Sequence, residues 1–159
     1  MKVSKKDIKQ RMARFEEVSR KSGAKLTHQR LEIFREVAQT VEHPDVEKVF
    51  EGVRRRMPTI SMDTVYRTLW WLKSLGLITV LGPSRERVRF DANLSNHHHF
   101  VCTRCGLTRD FFSDELDSLT LPDSVLSIGL AKKTQVEVKG ICLKCAADGK
   151  PGARKNERR

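Results

Sequence analysis

Two cysteine pairs, Cys102-Thr-Arg-Cys105 and Cys142-Leu-Lys-Cys145, stand 36 residues apart, and no other cysteine occurs in the 159-residue chain. A C-x-x-C turn lets two thiolates approach one cation at about 2.3 Å, and two such turns complete a tetrahedral zinc site with no open position, which serves structure and not catalysis. Ligand closure would join the segments that carry the two pairs, so metal binding and folding of this region are expected to be coupled. Gly106, directly after the first pair, suits a tight knuckle. The alternatives are two disulfides or a redox-active pair. A cytoplasmic setting argues against the first, and two paired turns in one chain fit the second poorly.

Charge divides the chain. Residues 1–90 hold 20 Lys+Arg and 11 Asp+Glu, residues 91–149 hold 6 and 8, and residues 150–159 hold 5 and 1, for a formal net charge of +11. A basic N-terminal half favours a polyanion partner, because Lys and Arg that neutralise phosphates release condensed counterions. A solvated basic face accounts for the same count. Hydrophobic residues at 38 % suffice for a core, and the length fits one domain or two small ones. The longest apolar candidate, Leu75 to Leu81, is interrupted by Gly76 and Thr79 and falls short of the roughly 18 residues a membrane helix needs. The charged start, Met1-Lys2-Val3-Ser4-Lys5-Lys6-Asp7, lacks the apolar segment of a secretory signal, so a cytoplasmic location is expected.

Apolar residues recur at helical spacing from Ile8 through Met12, Phe15 and Val18, with Gly23 as a stop. Thr27 caps a second helix with Leu31, Phe34, Val37 and Ala38 on one stripe. Pro44 suits the first turn of a third, carrying Val46, Val49, Phe50 and Val53 and ending at Met57-Pro58. Ser61 caps a fourth, Met62 to Leu75, in which Val65, Leu69 and Leu72 share one side while Asp63, Thr64, Arg67 and Ser74 lie roughly opposite; Gly76 ends it. Leu77 to Leu81 and Arg87 to Phe90 then read as the two strands of a hairpin turning at Gly82-Pro83-Ser84. Helices followed by a β-hairpin in this order predict a winged helix-turn-helix domain over residues 1–90. Its fourth helix would enter a major groove, and the Arg-rich hairpin, with Arg85, Arg87 and Arg89, would lie against phosphates or a minor groove. Expected DNA contacts are Ser61, Thr64, Tyr66, Arg67, Arg85 and Arg87, although Tyr66 can equally be half-buried packing.

From Asp91 the pattern changes to short strands, Phe100 to Cys102, Leu107 to Phe112 and Thr134 to Ile141, with a helix between Asp123 and Ile128 and a looser turn from Ser113 to Leu116. The fold class is therefore α+β, with a small second domain over residues 91–146 and a disordered basic tail over 147–159. At this size the second domain would be marginal alone and is expected to need a metal, an oligomer interface, or both. Three consecutive histidines, His97-His98-His99, precede the first cysteine pair. In an extended segment His97 and His99 share a face and His98 takes the other. Asp91 and Asp110 lie nearby in sequence, and mixed imidazole and carboxylate ligands suit Fe(II), Mn(II) or Zn(II).

These motifs together resemble the ferric uptake regulator family of metal-dependent bacterial repressors. The resemblance spans about residues 20–146 and rests on Leu26-Thr27-His28-Gln29-Arg30, His43-Pro44, Ile60-Ser61-Met62-Asp63-Thr64-Val65-Tyr66-Arg67-Thr68-Leu69, Gly76-Leu77-Ile78, Arg89-Phe90-Asp91, the run from His97 to Gly106, and the second C-x-x-C. It implies a homodimer, a C-terminal dimerisation domain, a pseudo-palindromic double-stranded DNA operator, a structural Zn(II) on Cys102, Cys105, Cys142 and Cys145, and a regulatory Fe(II) or Mn(II) on His43, Asp91, His97, His99 and Asp110. His98 is left spare. Aspartate at both carboxylate positions is the pattern of the peroxide-sensing members, in which Fe(II) and hydrogen peroxide oxidise a ligand histidine, here His43 or His97, whereas iron-sensing members usually carry Glu. The stretch Leu130 to Val136 lacks the histidines of a further site found in several relatives. The alternatives are an iron or zinc uptake regulator without peroxide sensing and, remotely, a non-haem iron enzyme.

Overall fold

Four side chains start the four helices of the N-terminal half. The computed structural model describes residues 3–82 and 88–148. In it Ser4 accepts a hydrogen bond from the Asp7 N–H ahead of α1 (Lys5–Lys21), and Thr27 accepts one from Arg30 ahead of α2 (His28–Ala38). Asp45 does the same for Lys48 ahead of α3 (Val46–Arg54), and Ser61 for Thr64 ahead of α4 (Met62–Ser74). Each oxygen satisfies a backbone donor that the first helical turn leaves without a partner. Thr27 and Ser61 are the caps the sequence predicts. Pro44, expected inside the first turn of the third helix, lies outside it. Asp45 takes the capping position, and the Pro44 carbonyl instead accepts the Phe90 N–H at 3.0 Å.

Gly76 ends α4 with φ at +65°, a backbone state that side chains with a Cβ disfavour. The Gly76 N–H then reaches the Lys73 carbonyl and the Leu77 N–H the Leu72 carbonyl, which closes the helix C-terminus with a paired cap. That cap also corrects the expected strand. Leu77 commits its N–H to Leu72 and is buried with Ile78 as a turn, so pairing begins only at β1 (Thr79–Leu81). Its antiparallel partner β2 (Arg89–Asp91) extends one residue beyond the expected Phe90, with Thr79 opposite Asp91. Phe15, Phe34, Val49, Val65, Leu69, Leu77 and Phe90 fill the core between helices and hairpin. Helices followed by this two-stranded sheet form the winged-helix arrangement. The first unit runs to Leu94, so the structure places Asp91 there and not in the second domain.

The second unit begins at Ser95. Its sheet has the order β4-β3-β5: β3 (His98–Cys102) pairs antiparallel with β4 (Thr108–Phe111) and parallel with β5 (Glu137–Gly140). The expected third strand, Thr134 to Ile141, is thus shorter. The looser turn is a single helical turn, α5 (Asp114–Asp117), and α6 (Asp123–Leu126) falls where a helix was predicted. A final helix, α7 (Leu143–Ala147), is absent from the sequence expectation because five residues hold no readable periodicity. Among the described residues of this unit the buried apolar side chains are Cys102 and Cys145, while Phe112, Ile128, Leu130 and Leu143 are exposed. No described helix is long and apolar enough to cross a membrane.

Phe15 joins α1 to α2 through a parallel stack on Phe34, with ring centroids 4.8 Å apart and no exposure at Phe15. Phe15→Ala should therefore lower the stability of the first unit by about 3–5 kcal/mol in urea unfolding followed by circular dichroism. A loss below about 1 kcal/mol would show that α1 contributes little to this core.

Candidate metal centres and nucleic-acid interface

Parallel pairing of β3 with β5 sets Cys102 beside Gly140, so the second cysteine pair begins just past the end of the sheet. All four cysteines are free thiols whose sulfurs lie within 4.8 Å of one another. The Cys105 and Cys142 sulfurs are 3.8 Å apart, well beyond disulfide length. A tetrahedron with bonds of about 2.3 Å has edges of about 3.8 Å, so the set fits zinc. Gly106, at φ +72°, lets its N–H return to the Cys102 carbonyl at 2.9 Å and close the first knuckle. Backbone N–H groups of Cys105 and then Cys142 hold the Cys102 thiol down at about 6, whereas burial pushes the Cys145 thiol up to about 12. A divalent cation removes that second penalty, since coordinated thiols are deprotonated outright. Arg104 donates to the Cys145 carbonyl and ties the first knuckle to the helix that carries the second.

At the other end of β3 the strand alternation does what the sequence predicts. His97 and His99 bring their Nε2 atoms to 3.0 Å, while His98 faces away. The β3–β4 register places Asp110 directly across from His99, and its Oδ1 lies 3.5 Å from His99 Nε2 and 3.8 Å from His97 Nε2. His97 Nδ1 donates to the Ser95 carbonyl at 2.7 Å, which leaves the Nε2 lone pair toward the cluster. Two nitrogens bound at right angles about 2.1 Å from one ion stand about 3.0 Å apart, so the spacing suits a metal. The ring of His98 packs on Phe111, and its Nδ1 accepts the Val136 N–H at 3.2 Å. The proton therefore belongs on Nε2, which faces Asp117 at 3.4 Å. His98 thus ties β3 to the chain entering β5.

The first unit holds the other two expected ligands. His43 Nε2 and Asp91 Oδ2 are 3.6 Å apart, both in buried residues. His43 adopts φ +47° immediately before a proline, an uncommon and strained backbone state. Arg89 Nη1 donates to the His43 carbonyl at 3.1 Å, and Phe90 holds the next carbonyl, so β2 fixes the loop that presents His43. Sequence reasoning assigned Arg89 to DNA and missed this role, which only the fold reveals. Among the described residues of the second unit, the metal-binding side chains gather as the four cysteines at one end of β3 and as His97, His99 and Asp110 at the other.

On α4, Val65, Leu69 and Leu72 are fully buried, and Tyr66 and Arg67 are exposed. Tyr66 is half exposed and inclined toward Trp70, whose edge meets Phe90 at 6.3 Å between centroids. Ser61 and Thr64 share a hydrogen bond between their hydroxyls at 2.8 Å, so the first-turn oxygens are engaged in capping. Arg85 and Arg87 lie outside the described residues.

A sequence model described as the Ferric uptake regulator family matches residues 21–138. A peroxide-responsive repressor of Staphylococcus epidermidis is 30 % identical over 131 residues, covering 82 % of this chain and 87 % of that protein. The fold is similar to that of the Helicobacter pylori ferric uptake regulator, a structure described as revealing three functional metal-binding sites, with TM-score 0.72 and 22 % identity over 87 % of this chain and 93 % of that one. It is also similar to a zinc-bound manganese uptake regulator, with TM-score 0.64 and 26 % identity over 80 % and 98 % of the two chains. With most of its length matched, from the end of α1 to the start of β5, the chain belongs to the Ferric uptake regulator family, whose members are regulators and not enzymes.

Proposed function

We propose that this regulator represses transcription as a homodimer on a pseudo-palindromic DNA operator, and that it responds to hydrogen peroxide through oxidation of a ligand histidine. The observation that carries this reading is the convergence of His97, His99 and Asp110, a donor set of imidazole and carboxylate without thiolate, in a chain similar to a peroxide-responsive repressor. Such a set suits Fe(II) or Mn(II), and the four cysteines suit a structural Zn(II). Exposed Ile128, Leu130 and Leu143 in a unit with little buried apolar surface support assembly with a second copy.

In this reading His43 and Asp91 from the first unit join His97, His99 and Asp110 from the second as ligands of one ion. Ligands drawn from both units let metal binding select one DNA-competent arrangement. Shifting such an equilibrium from 1:99 to 99:1 needs about 5.5 kcal/mol of differential affinity. Ferrous iron held by this set would supply the redox chemistry that activates peroxide. In the net change a ring C–H of His43 or His97 would become a C–O bond, two electrons would pass from the imidazole to the peroxide, its O–O bond would break, and its second oxygen would leave as water. The altered imidazole is a poorer ligand, so the preference for the DNA-binding arrangement falls. On DNA, Tyr66 and Arg67 of α4 face base edges, Ser61 and Thr64 fix the helix start near the backbone, and Arg85 and Arg87 add phosphate contacts.

Gel shifts with Fe(II)-loaded and Mn(II)-loaded protein test the signal. Peroxide should release DNA from the iron form alone, with one added oxygen per chain in the peptide containing His43 or His97. Iron-form binding that survives peroxide would mark a regulator of metal uptake instead, and many oxidised products per iron would mark an enzyme. His43→Ala should keep zinc and the dimer yet lose at least about tenfold of the metal-dependent DNA affinity, measured by fluorescence anisotropy with and without Mn(II). Cys142→Ser should drop zinc below one per chain and expose the second unit to proteolysis. Retained zinc at full occupancy would show that this thiol is not a ligand.

A further inference from the structure

Helix α4 carries one acidic residue, Asp63, and it stands one turn before Arg67 on the exposed side of the helix. Their side chains are 75 % and 79 % exposed, and the Arg67 Nη1 lies 3.8 Å from the Asp63 Oδ2. An ion pair this exposed contributes little to stability. A carboxylate in the first turn does complement the helix dipole, but it also faces phosphate repulsion once the N-terminus of the helix enters a groove. Residues at that end of a recognition helix are the ones that meet base edges.

Resting on the reading of α4 as the DNA-reading helix, we propose that Asp63 and Arg67 form a specificity pair that selects a G·C base pair at one fixed position in each operator half-site. In the major groove guanine offers two acceptors, N7 and O6, and cytosine offers the N4 amino donor. Arg67 supplies the fork that fits the guanine, and Asp63 supplies the acceptor that fits the cytosine. Guanine O6 and cytosine N4 of one pair are themselves hydrogen-bonded about 2.9 Å apart, so two groups 3.8 Å from each other can meet both edges of a single pair. Asp63 also keeps Arg67 from settling on a phosphate. Every duplex meets the repulsion of the carboxylate, and only one that presents a cytosine amino group there offsets it, which is discrimination by a repulsive element.

The test uses the full chain loaded with Mn(II) and a pool of randomised duplex DNA, with selected sites sequenced and binding then measured on single-base variants. Wild type should select G·C at one position per half-site and bind a mismatch there roughly 5- to 150-fold more weakly. Asp63→Ala should make that position degenerate and bind unselected duplex more tightly than wild type does. Asp63→Asn should shift the selected base toward adenine, the partner that an amide side chain matches. Arg67→Ala should lose preference at the same position. A Asp63→Ala profile identical to wild type overturns the pair while leaving metal-dependent DNA binding intact. A wild type that selects no sequence with Mn(II) overturns both this inference and the function it rests on.

Discussion

One strand, β3, holds both candidate metal centres of the second unit. His97 and His99 converge at its entrance, Cys102 closes its far end, and its position between β4 and β5 decides what each meets. The antiparallel neighbour brings Asp110 opposite His99, and the parallel neighbour leads into Cys142. A slip of one residue in either register would turn these side chains to the wrong face. The unit buries little apolar surface among its described residues, and a small unit of that kind depends on a bound metal or an oligomer interface for what a hydrophobic core does elsewhere.

The first unit solves a different problem, that of fixing the loop that carries His43 and supporting the exposed helix α4. Strand β2 does both. Arg89 and Phe90 hold the carbonyls of His43 and Pro44, Asp91 faces the His43 imidazole, and the Phe90 ring meets Trp70 of α4, which in turn meets Tyr66. The strained φ of His43 is sustained by these contacts on both sides of the proline. Within this unit, then, the ligand loop and the exposed face of α4 are two surfaces of one packed body.

Much of the fold was legible because it rests on local rules. Thr27 and Ser61 are capping oxygens wherever a helix follows, and Val65, Leu69 and Leu72 share a stripe at 3.6-residue period whatever they pack on. Sequence and structure part where one backbone group has two possible partners. The pattern predicts Pro44 in a helical first turn, but Asp45 caps the helix and the Pro44 carbonyl goes to β2. It predicts Leu77 in a strand, but the Leu77 N–H closes the end of α4. A pattern of residue types does not reveal which of two bonds a backbone group makes.

The sequence by itself determined the chemistry: four thiols in two turns, two imidazoles on one face of an extended run, and aspartates as the accompanying oxygens, because spacing along a chain fixes which neighbours share a turn or a strand face. Tertiary structure decided the rest. Strand register chose Asp110 as the neighbour of His99, the β2 contacts turned His43 toward Asp91, and Asp117 and Val136 engaged the histidine that the motif left spare. Those partners are separated in the chain by 11 to 48 residues, and nothing in local periodicity specifies a meeting that only the packing of sheets and helices brings about.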